Sequence, residues 1–169
     1  MSHWLSRLVR HRLFDESDTA RALDAAALKR IEAKVAASER HHSGEIRVMV
    51  EAGMPLSYLR RGAPPRERAV AMFGKLRVWD TELNNGVLIY LLLADNAIEI
   101  VADRGLNRHV DAAAWAAIAE PMKAAFRHGD FEAGLADAVD AADALLVRHF
   151  PRRDGVADIN ELPDAPLLR

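Results

Sequence analysis

The hydrophobic and polar positions of this chain follow two periods, and each change of period marks the boundary of a predicted element. Apolar side chains recur at helical spacing after Asp24, which is placed to cap a helix that fades at the segment SERHHSG. Residues 45–51 alternate apolar and polar side chains, which is the period of a strand. Residues 86–94 are almost uniformly apolar, which predicts a second strand covered on both faces.

The remaining pattern predicts further elements around these two strands. Glycine and proline residues make 52–65 a predicted loop. The other predicted elements are a helix over 66–77, a turn at Asp95 and Asn96, a strand over 97–102, a helix that begins at Asp111, and a helix over 131–149. The predicted fold class is therefore α/β, a three-layer α/β/α sandwich on a small mixed sheet, with a parallel crossover pair plus an antiparallel hairpin strand.

One domain, residues 18–150, is predicted between two terminal segments. Residues 1–17 form an N-terminal arm that mixes arginines with Trp4, several aliphatic residues and Phe14. Two alternatives are open for this arm: it docks its apolar groups on the domain, or residues 4–14 form a basic helix that contacts a membrane surface. Residues 151–169 contain prolines and little periodicity, which predicts either an extended strap or a disordered tail.

Composition narrows the function classes. The formal charge is −2, from 23 basic and 25 acidic residues, so no nucleic-acid partner is predicted. The chain has no cysteine, which excludes disulfides and thiolate chemistry. No segment approaches the roughly 18 apolar residues of a transmembrane helix. We therefore expect a soluble, cytoplasmic protein without a transmembrane segment. The alternative is a peripheral position at the inner membrane, which contact through residues 4–14 would give.

Common catalytic signatures are missing. The sequence has no glycine-rich phosphate loop, no G-x-S-x-G and no H-E-x-x-H motif. The adjacent His41 and His42 follow a helix end, and we interpret them as solvated polar surface rather than as a metal site.

The predicted topology brings oxygen-bearing residues to one edge of the sheet. Glu45 precedes the first strand, the loop 80–85 precedes the second, and Asp103 follows the antiparallel third. The candidate metal ligands are Asp80, Asn84, Asn85, Asp103 and, as an outer member, Glu45. Carboxylate and amide oxygens suit Ca²⁺ or Mg²⁺, although the spacing in DTELNNG does not match an EF-hand loop.

Two other interpretations of this edge are open. In the first, Asp80 and the two asparagines only satisfy backbone donors in the helix-to-strand connection, Asn-Gly supplies a positive φ, and Asp103 pairs with Arg104 or another arginine. In the second, a ligand binds at the opposite edge, near Glu51, the loop 52–65 and Asp95, because open α/β sheets bind ligands at the carboxyl ends of their strands.

The quoted blocks resemble the TPM domain family. The matching features are SGEIRVMVE, AMFGKLRVWDTELNNGVLIYLLLADNAIEIVADRGL, the Trp115 helix and FRHGDFEAGLADAV, in the family's order over about residues 40–150. The family includes a plant thylakoid-lumen photosystem-repair protein, bacterial membrane-anchored proteins and a nematode receptor-associated protein. The resemblance implies an α/β/α sandwich and divalent-cation binding through acidic loop residues, which here are the five candidates named above. Many relatives carry a signal peptide and an anchoring helix, whereas neither is recognised in this sequence.

Three functions compete, of which the third is a peripheral membrane or assembly factor that uses residues 4–14. The first hypothesis is a cation-binding interaction module, whose ordered loop is recognised by an unidentified, membrane-associated protein partner. The alternative is a weak metal-assisted acid phosphatase, since the resemblance implies such an activity in the plant member. In that alternative Asp80 would position water and Arg104 would hold phosphate oxygens.

Overall fold

A computed structural model describes residues 3–152 and 160–169 of the chain, and within them the fold is a mixed four-stranded sheet between helices. The strands are β1 (Ile46–Glu51), β2 (Val87–Leu92), β3 (Ala97–Ala102) and β4 (Leu167–Leu168), in the spatial order β3-β2-β1-β4. β1 and β2 pair in parallel with Ile46 opposite Val87, and β2 and β3 pair antiparallel with Val87 opposite Ala102. The predicted crossover pair and hairpin strand are confirmed.

Helices cover both faces of the sheet and complete the predicted three layers. The helices are α1 (His3–Leu13), α2 (Glu16–Ala22), α3 (Ala25–Ser38), α4 (Leu56–Arg60), α5 (Pro65–Lys75), α6 (Arg104–Asn107), α7 (Ala112–Arg127) and α8 (Phe131–His149). α3, α7 and α8 pack on the sheet face that carries Val48 and Ile89, whereas α4 and α5 pack on the face that carries Met49 and Tyr90. Since side chains alternate along a strand, two separate hydrophobic clusters result.

Every residue of β1 is buried, including the polar ones of its alternating pattern. Glu51 is bound by Arg68 of α5, whose Nε lies 2.9 Å from Oε2, and it also accepts a hydrogen bond of 2.6 Å from the Tyr90 hydroxyl. Burial, the charge of Glu51 and its hydrogen bond raise the pKa of Tyr90. The alternating pattern thus located the strand, but its polar positions are interior: Glu51 pairs with Arg68 of α5, and Arg47 donates to backbone carbonyls of residues 163 and 165.

Two connections differ from their predictions in detail. The predicted loop 52–65 contains α4, a helix of five residues that begins after Pro55. The hairpin turn is longer than two residues, because Leu93–Asp95 form a 3-10 turn and only Asn96, with φ of 47°, takes a positive φ there. Asn is the residue type that best tolerates this conformation after glycine.

The terminal segments both pack on the domain where they are described. The N-terminal arm forms α1 and the first two residues of α2, which Asp15 caps through Ser17. Residues 160–169 run as an extended strap whose Leu167 and Leu168 pair with Met49 and Val50 of β1. The prediction of a strap or disorder for 153–159, and of a docked Trp4 side chain, lies outside the described residues. Among the described helices, none is long and apolar enough to cross a membrane.

Candidate functional site

The candidate edge of the sheet is where β2 begins and β3 ends, and Asn84 closes the loop that leads to it. Asn84 has a φ of 54°, and its backbone carbonyl accepts a hydrogen bond of 2.9 Å from Gly105 N. Its side-chain Oδ1 accepts a second hydrogen bond, of 2.8 Å, from Arg104 Nε. A Cβ at Gly105 would lie 2.4 Å from the Asn84 carbonyl oxygen, so the two segments meet at a distance that only glycine allows. The predicted positive φ at Asn85-Gly86 is therefore wrong, because the positive φ of this loop lies one residue earlier, at Asn84.

Asn85 is fully buried beneath this loop. Its backbone N–H donates to Thr81 Oγ1 at 3.1 Å, and its side-chain Nδ2 donates to the Ser43 carbonyl at 2.9 Å. Its Oδ1 is buried and has no hydrogen-bond partner among the residues that the structure describes. The side chain therefore ties the start of β2 to the start of β1 and leaves one oxygen unsatisfied.

Asp103 caps α6 at the end of β3. Its Oδ1 accepts a hydrogen bond of 2.7 Å from Arg104 N, and its own N–H donates to the Gly86 carbonyl at 2.9 Å. The other carboxylate oxygen, Oδ2, is buried without a hydrogen-bond partner in the described part of the chain. The predicted pairing of Asp103 with the Arg104 side chain is not found, since that guanidinium bonds to Asn84 instead.

Asp80 and Glu45 have partners of their own. The Asp80 carboxylate is half exposed and forms an ion pair of 2.7 Å with Arg77, one turn earlier in the chain. Glu45 is buried, and its two carboxylate oxygens accept hydrogen bonds of 3.1 Å from the backbone N–H groups of Glu161 and Leu162. Topology thus places Asn84, Asn85 and Asp103 at one edge of the sheet, whereas Asp80 faces solvent and Glu45 binds the strap.

Within residues 3–152 and 160–169, no group of three or more histidine, cysteine or carboxylate side chains is arranged to hold a metal ion. A cation at this edge would therefore need amide and backbone carbonyl oxygens beside Asp103, which is a donor set that Ca²⁺ and Mg²⁺ accept. The exposed side of the loop, with Asp80 and Glu82, offers further carboxylates within the same segment.

The opposite edge of the sheet is closed by α1. Asp95 forms ion pairs of 2.8 Å with Arg7 and 2.6 Å with Arg10, and its Oδ1 lies 3.0 Å from His11 Nε2. Met54 N donates to His11 Nδ1, so the neutral ring carries its proton on Nε2, facing Asp95. Burial acts to raise the pKa of Asp95, but the His11 and Arg7 side chains beside the carboxylate outweigh it and hold that pKa below its ordinary value.

One group at the start of β1 was misjudged from the sequence. His41 is exposed as predicted, but His42 is fully buried, which makes its assignment to the solvated surface wrong. Its Nε2 lies 2.9 Å from Ser38 Oγ, and that hydroxyl donates to Asp143 Oδ1 at 2.8 Å. Gly44 N donates to His42 Nδ1, so Nε2 is protonated and donates to the serine. A nucleophilic serine needs a histidine nitrogen that accepts its proton, so this group is structural.

The family assignment agrees with this geometry. The TPM domain model matches residues 17–145. The BA42 protein of the psychrophilic bacterium Bizionia argentinensis is 31% identical, with a TM-score of 0.74 over 87% of this chain and 95% of that one. The N-terminal domain of a P. gingivalis protein is 19% identical, with a TM-score of 0.58 over 79% of this chain and 84% of that one, and shows the fold alone. No curated protein matches the chain. Because the family model matches most of its length, this chain belongs to the TPM domain family.

Proposed function

We propose that this chain is a divalent-cation-binding interaction module that holds Ca²⁺ or Mg²⁺ where β2 begins and β3 ends. The observation that carries the proposal is Asp103 Oδ2, a buried carboxylate oxygen with no hydrogen-bond partner among the described residues. Leaving a buried polar group unsatisfied costs about 1–3 kcal/mol, and more for a charged one. A cation bound to this oxygen would remove that cost, and Asn85 Oδ1 is a second unsatisfied oxygen at the same edge.

Arg104 is the group that a cation would have to displace. Its guanidinium donates a hydrogen bond to Asn84 Oδ1, and its positive charge repels a cation bound nearby. In the proposed bound state Asn84 Oδ1 turns to the cation, while Asp80 exchanges its exposed ion pair with Arg77 for the same ion. Exposed ion pairs contribute only about 0–1 kcal/mol, so this exchange costs little.

Thermal unfolding with and without millimolar Ca²⁺ or Mg²⁺ tests the proposal. We expect the wild-type melting temperature to rise by about 5–10 °C at a hundredfold excess over Kd, because a ligand of the folded state alone stabilises it. Asp80→Asn combined with Asp103→Asn should abolish the rise. Asp111→Asn is the matched control, since Asp111 also caps a helix, where its carboxylate accepts a hydrogen bond of 2.8 Å from Ala114 N, and lies outside the site. An unmoved wild type, or a rise that the double variant keeps, overturns the proposal.

The proposed partner of the ordered loop is an unidentified cytoplasmic protein, with a membrane-associated protein at the inner membrane as the alternative. The phosphatase alternative has no supporting observation of its own, because Arg104, its phosphate-binding residue, bonds to Asn84. A phosphomonoester assay with the same double variant checks it: turnover that depends on Asp80 and Asp103 would replace the binding module by the hydrolase.

Direct membrane contact through α1 is a second candidate, and a specific observation favours it. Leu5, Val9 and Leu13 recur every four residues along α1 and are 39%, 52% and 74% exposed. α1 contains no acidic residue, and Arg12 on it is exposed. An exposed apolar stripe beside basic side chains is typical of a helix that lies in the surface of an anionic membrane.

Co-sedimentation with phosphatidylcholine vesicles, with and without phosphatidylglycerol, tests this contact. We expect pelleting only with the anionic lipid, and its loss in Val9→Asn combined with Leu13→Asn. The matched control is Val70→Asn with Val147→Asn, which changes two aliphatic side chains that are 49% and 38% exposed on other helices. Equal pelleting of both pairs would remove α1 from the interaction.

A further inference from the structure

The strap, residues 160–169, is held along the edge of β1 mainly through its backbone. Glu45 accepts two of its N–H groups, at Glu161 and Leu162. Arg47 donates from one Nη1 to the carbonyls of Pro163, at 2.6 Å, and Ala165. At the far end Arg169 N donates to Val50 O at 2.9 Å, and Ala52 N donates to Arg169 O at 2.8 Å. Backbone groups such as these are common to every extended peptide.

Glu45 and Arg47 are charged side chains committed to this edge from inside the domain. Both are at least nine-tenths buried. Burial lowers the pKa of Arg47, and the charge of Asp164 on the strap opposes that shift. A buried charge is tolerated only where hydrogen bonds or an opposite charge compensate it. The edge of β1 is therefore built to hold an extended segment by its peptide groups.

The leucines of the strap give the edge its side-chain selectivity. Leu167 packs against the hydrophobic cluster that contains Met49, whereas Leu168 packs against the cluster that contains Val48 on the other face. Both are only half-buried, in contrast with the fully buried β1 and β2. Leu162 is buried in the first of these clusters. The edge thus accepts a strand whose adjacent apolar residues point to opposite faces.

We propose that the edge of β1 is a peptide-docking groove. The chain's own strap fills it here, and an extended segment of a protein partner can take the strap's place. That segment carries two adjacent leucines behind a proline-containing stretch, as NELPDAPLLR does. The partner adds a short strand to the sheet and displaces the strap, which is binding by strand addition. This inference goes beyond cation binding and does not require it, because none of its contacts involves Asp103.

A full-length variant with a released strap tests the groove. The variant combines Leu162→Asn, Leu167→Asn and Leu168→Asn, so that the strap loses its apolar anchors while Glu45 and Arg47 stay in place. We expect a fluorescent peptide NELPDAPLLR to bind this variant at least tenfold more tightly than the wild type, whose groove is filled, as measured by anisotropy. Adding Arg47→Leu to the variant should weaken binding at least tenfold, and a peptide with the same three asparagines should bind neither protein.

Equal binding to the variant and the wild type, or no binding to a variant that keeps the wild-type circular dichroism, overturns the groove. Hydrogen exchange of the wild type decides the matter should the variant not fold. The amides of Leu162 and Arg169 should then exchange at least tenfold faster than those of Val48 and Ile89, because the strap opens locally. Exchange only by global unfolding overturns the proposal. So does a wild-type dimer with exchanged straps in native mass spectrometry, since it would make a second copy the occupant.

Discussion

Glu39 shows how a single carboxyl group can report on the packing around it. It ends α3, and its Oε1 accepts a hydrogen bond of 2.9 Å from Ile46 N at the start of β1. Burial raises its pKa from 4.5 to about 8, because the hydrogen bond from Ile46 is outweighed and the charges of Glu45 and Asp164 act in the same direction as burial. A negative charge at the C-terminal end of a helix is also unfavourable. At neutral pH Glu39 is therefore protonated in the folded chain.

This pKa predicts that stability falls as the pH rises from 4.5 to 8. In that range the folded chain keeps a proton that the unfolded chain has released, so unfolding is favoured until both forms are ionised above pH 8. Glu39→Gln should flatten most of the decline in melting temperature, and the remainder comes from Glu99, whose pKa burial also raises. Glu120→Gln, at an exposed carboxyl on α7, should leave the decline unchanged. A wild-type slope in Glu39→Gln would contradict this account.

At the scale of elements, the segments with strong periodicity were predicted correctly. β1, β2, β3 and α8 were found within two residues of their predicted bounds, since burial of a regular face repeats in the sequence. α3 begins after Asp24 as predicted and ends at Ser38, the first residue of the segment SERHHSG where its end was predicted. α4 was missed because a helix of five residues is too short to show a period between prolines. The burial of Arg47 and Glu51 could not be read from alternation, because it depends on the strap and on α5, which are distant in the sequence.

Gly86 and Gly74 have different structural roles that the sequence does not distinguish. At Gly86, just before β2, a Cβ would lie 1.9 Å from the Val78 carbonyl oxygen, so alanine cannot be accommodated without moving backbone. At Gly74, inside α5, a Cβ would meet nothing within 4 Å. We expect Gly86→Ala to lower the free energy of unfolding by about 2 kcal/mol or more. Gly74→Ala should raise it by about 0.5–1 kcal/mol, since alanine favours helix.

Urea unfolding of the two glycine variants measures both changes on one scale. The midpoint should fall for Gly86→Ala and rise for Gly74→Ala, with the same m-value in each. An unchanged or raised midpoint for Gly86→Ala would show that the close approach of Val78 to Gly86 does not limit the loop.

At the scale of the whole molecule, topology predicted the candidate site only in part. Strand order alone was enough to bring Asn84, Asn85 and Asp103 to one edge. The hydrogen-bond partners of these side chains could not be predicted, because hydrogen bonds between distant segments produce no periodic pattern in the sequence. The strap is the clearest case: it binds Glu45, and the Glu161 carboxylate accepts hydrogen bonds of 3.2 Å from Glu82 N in the candidate loop.

The contact between Glu161 and Glu82 predicts that the groove and the cation site are linked. A strap that holds the loop in place lowers the cost of ordering it, so releasing the strap should weaken Ca²⁺ binding about fivefold or more. By reciprocity, saturating Ca²⁺ should tighten peptide binding to the strap-released variant by the same factor. Calorimetric titration of Ca²⁺ into that variant, with and without the peptide NELPDAPLLR, measures both sides of the cycle.

A peptide with Glu161→Ala separates this linkage from simple stabilisation of the fold. It keeps the backbone N–H groups that Glu45 binds but has no carboxylate for Glu82. We therefore expect it to fill the groove without restoring Ca²⁺ affinity, whereas the unmodified peptide restores it. If both peptides restore the affinity equally, the coupling runs through β1 and the core rather than through the loop. If neither does, while both bind, the loss of Ca²⁺ affinity comes from the three substitutions themselves and the groove is not linked to the cation site.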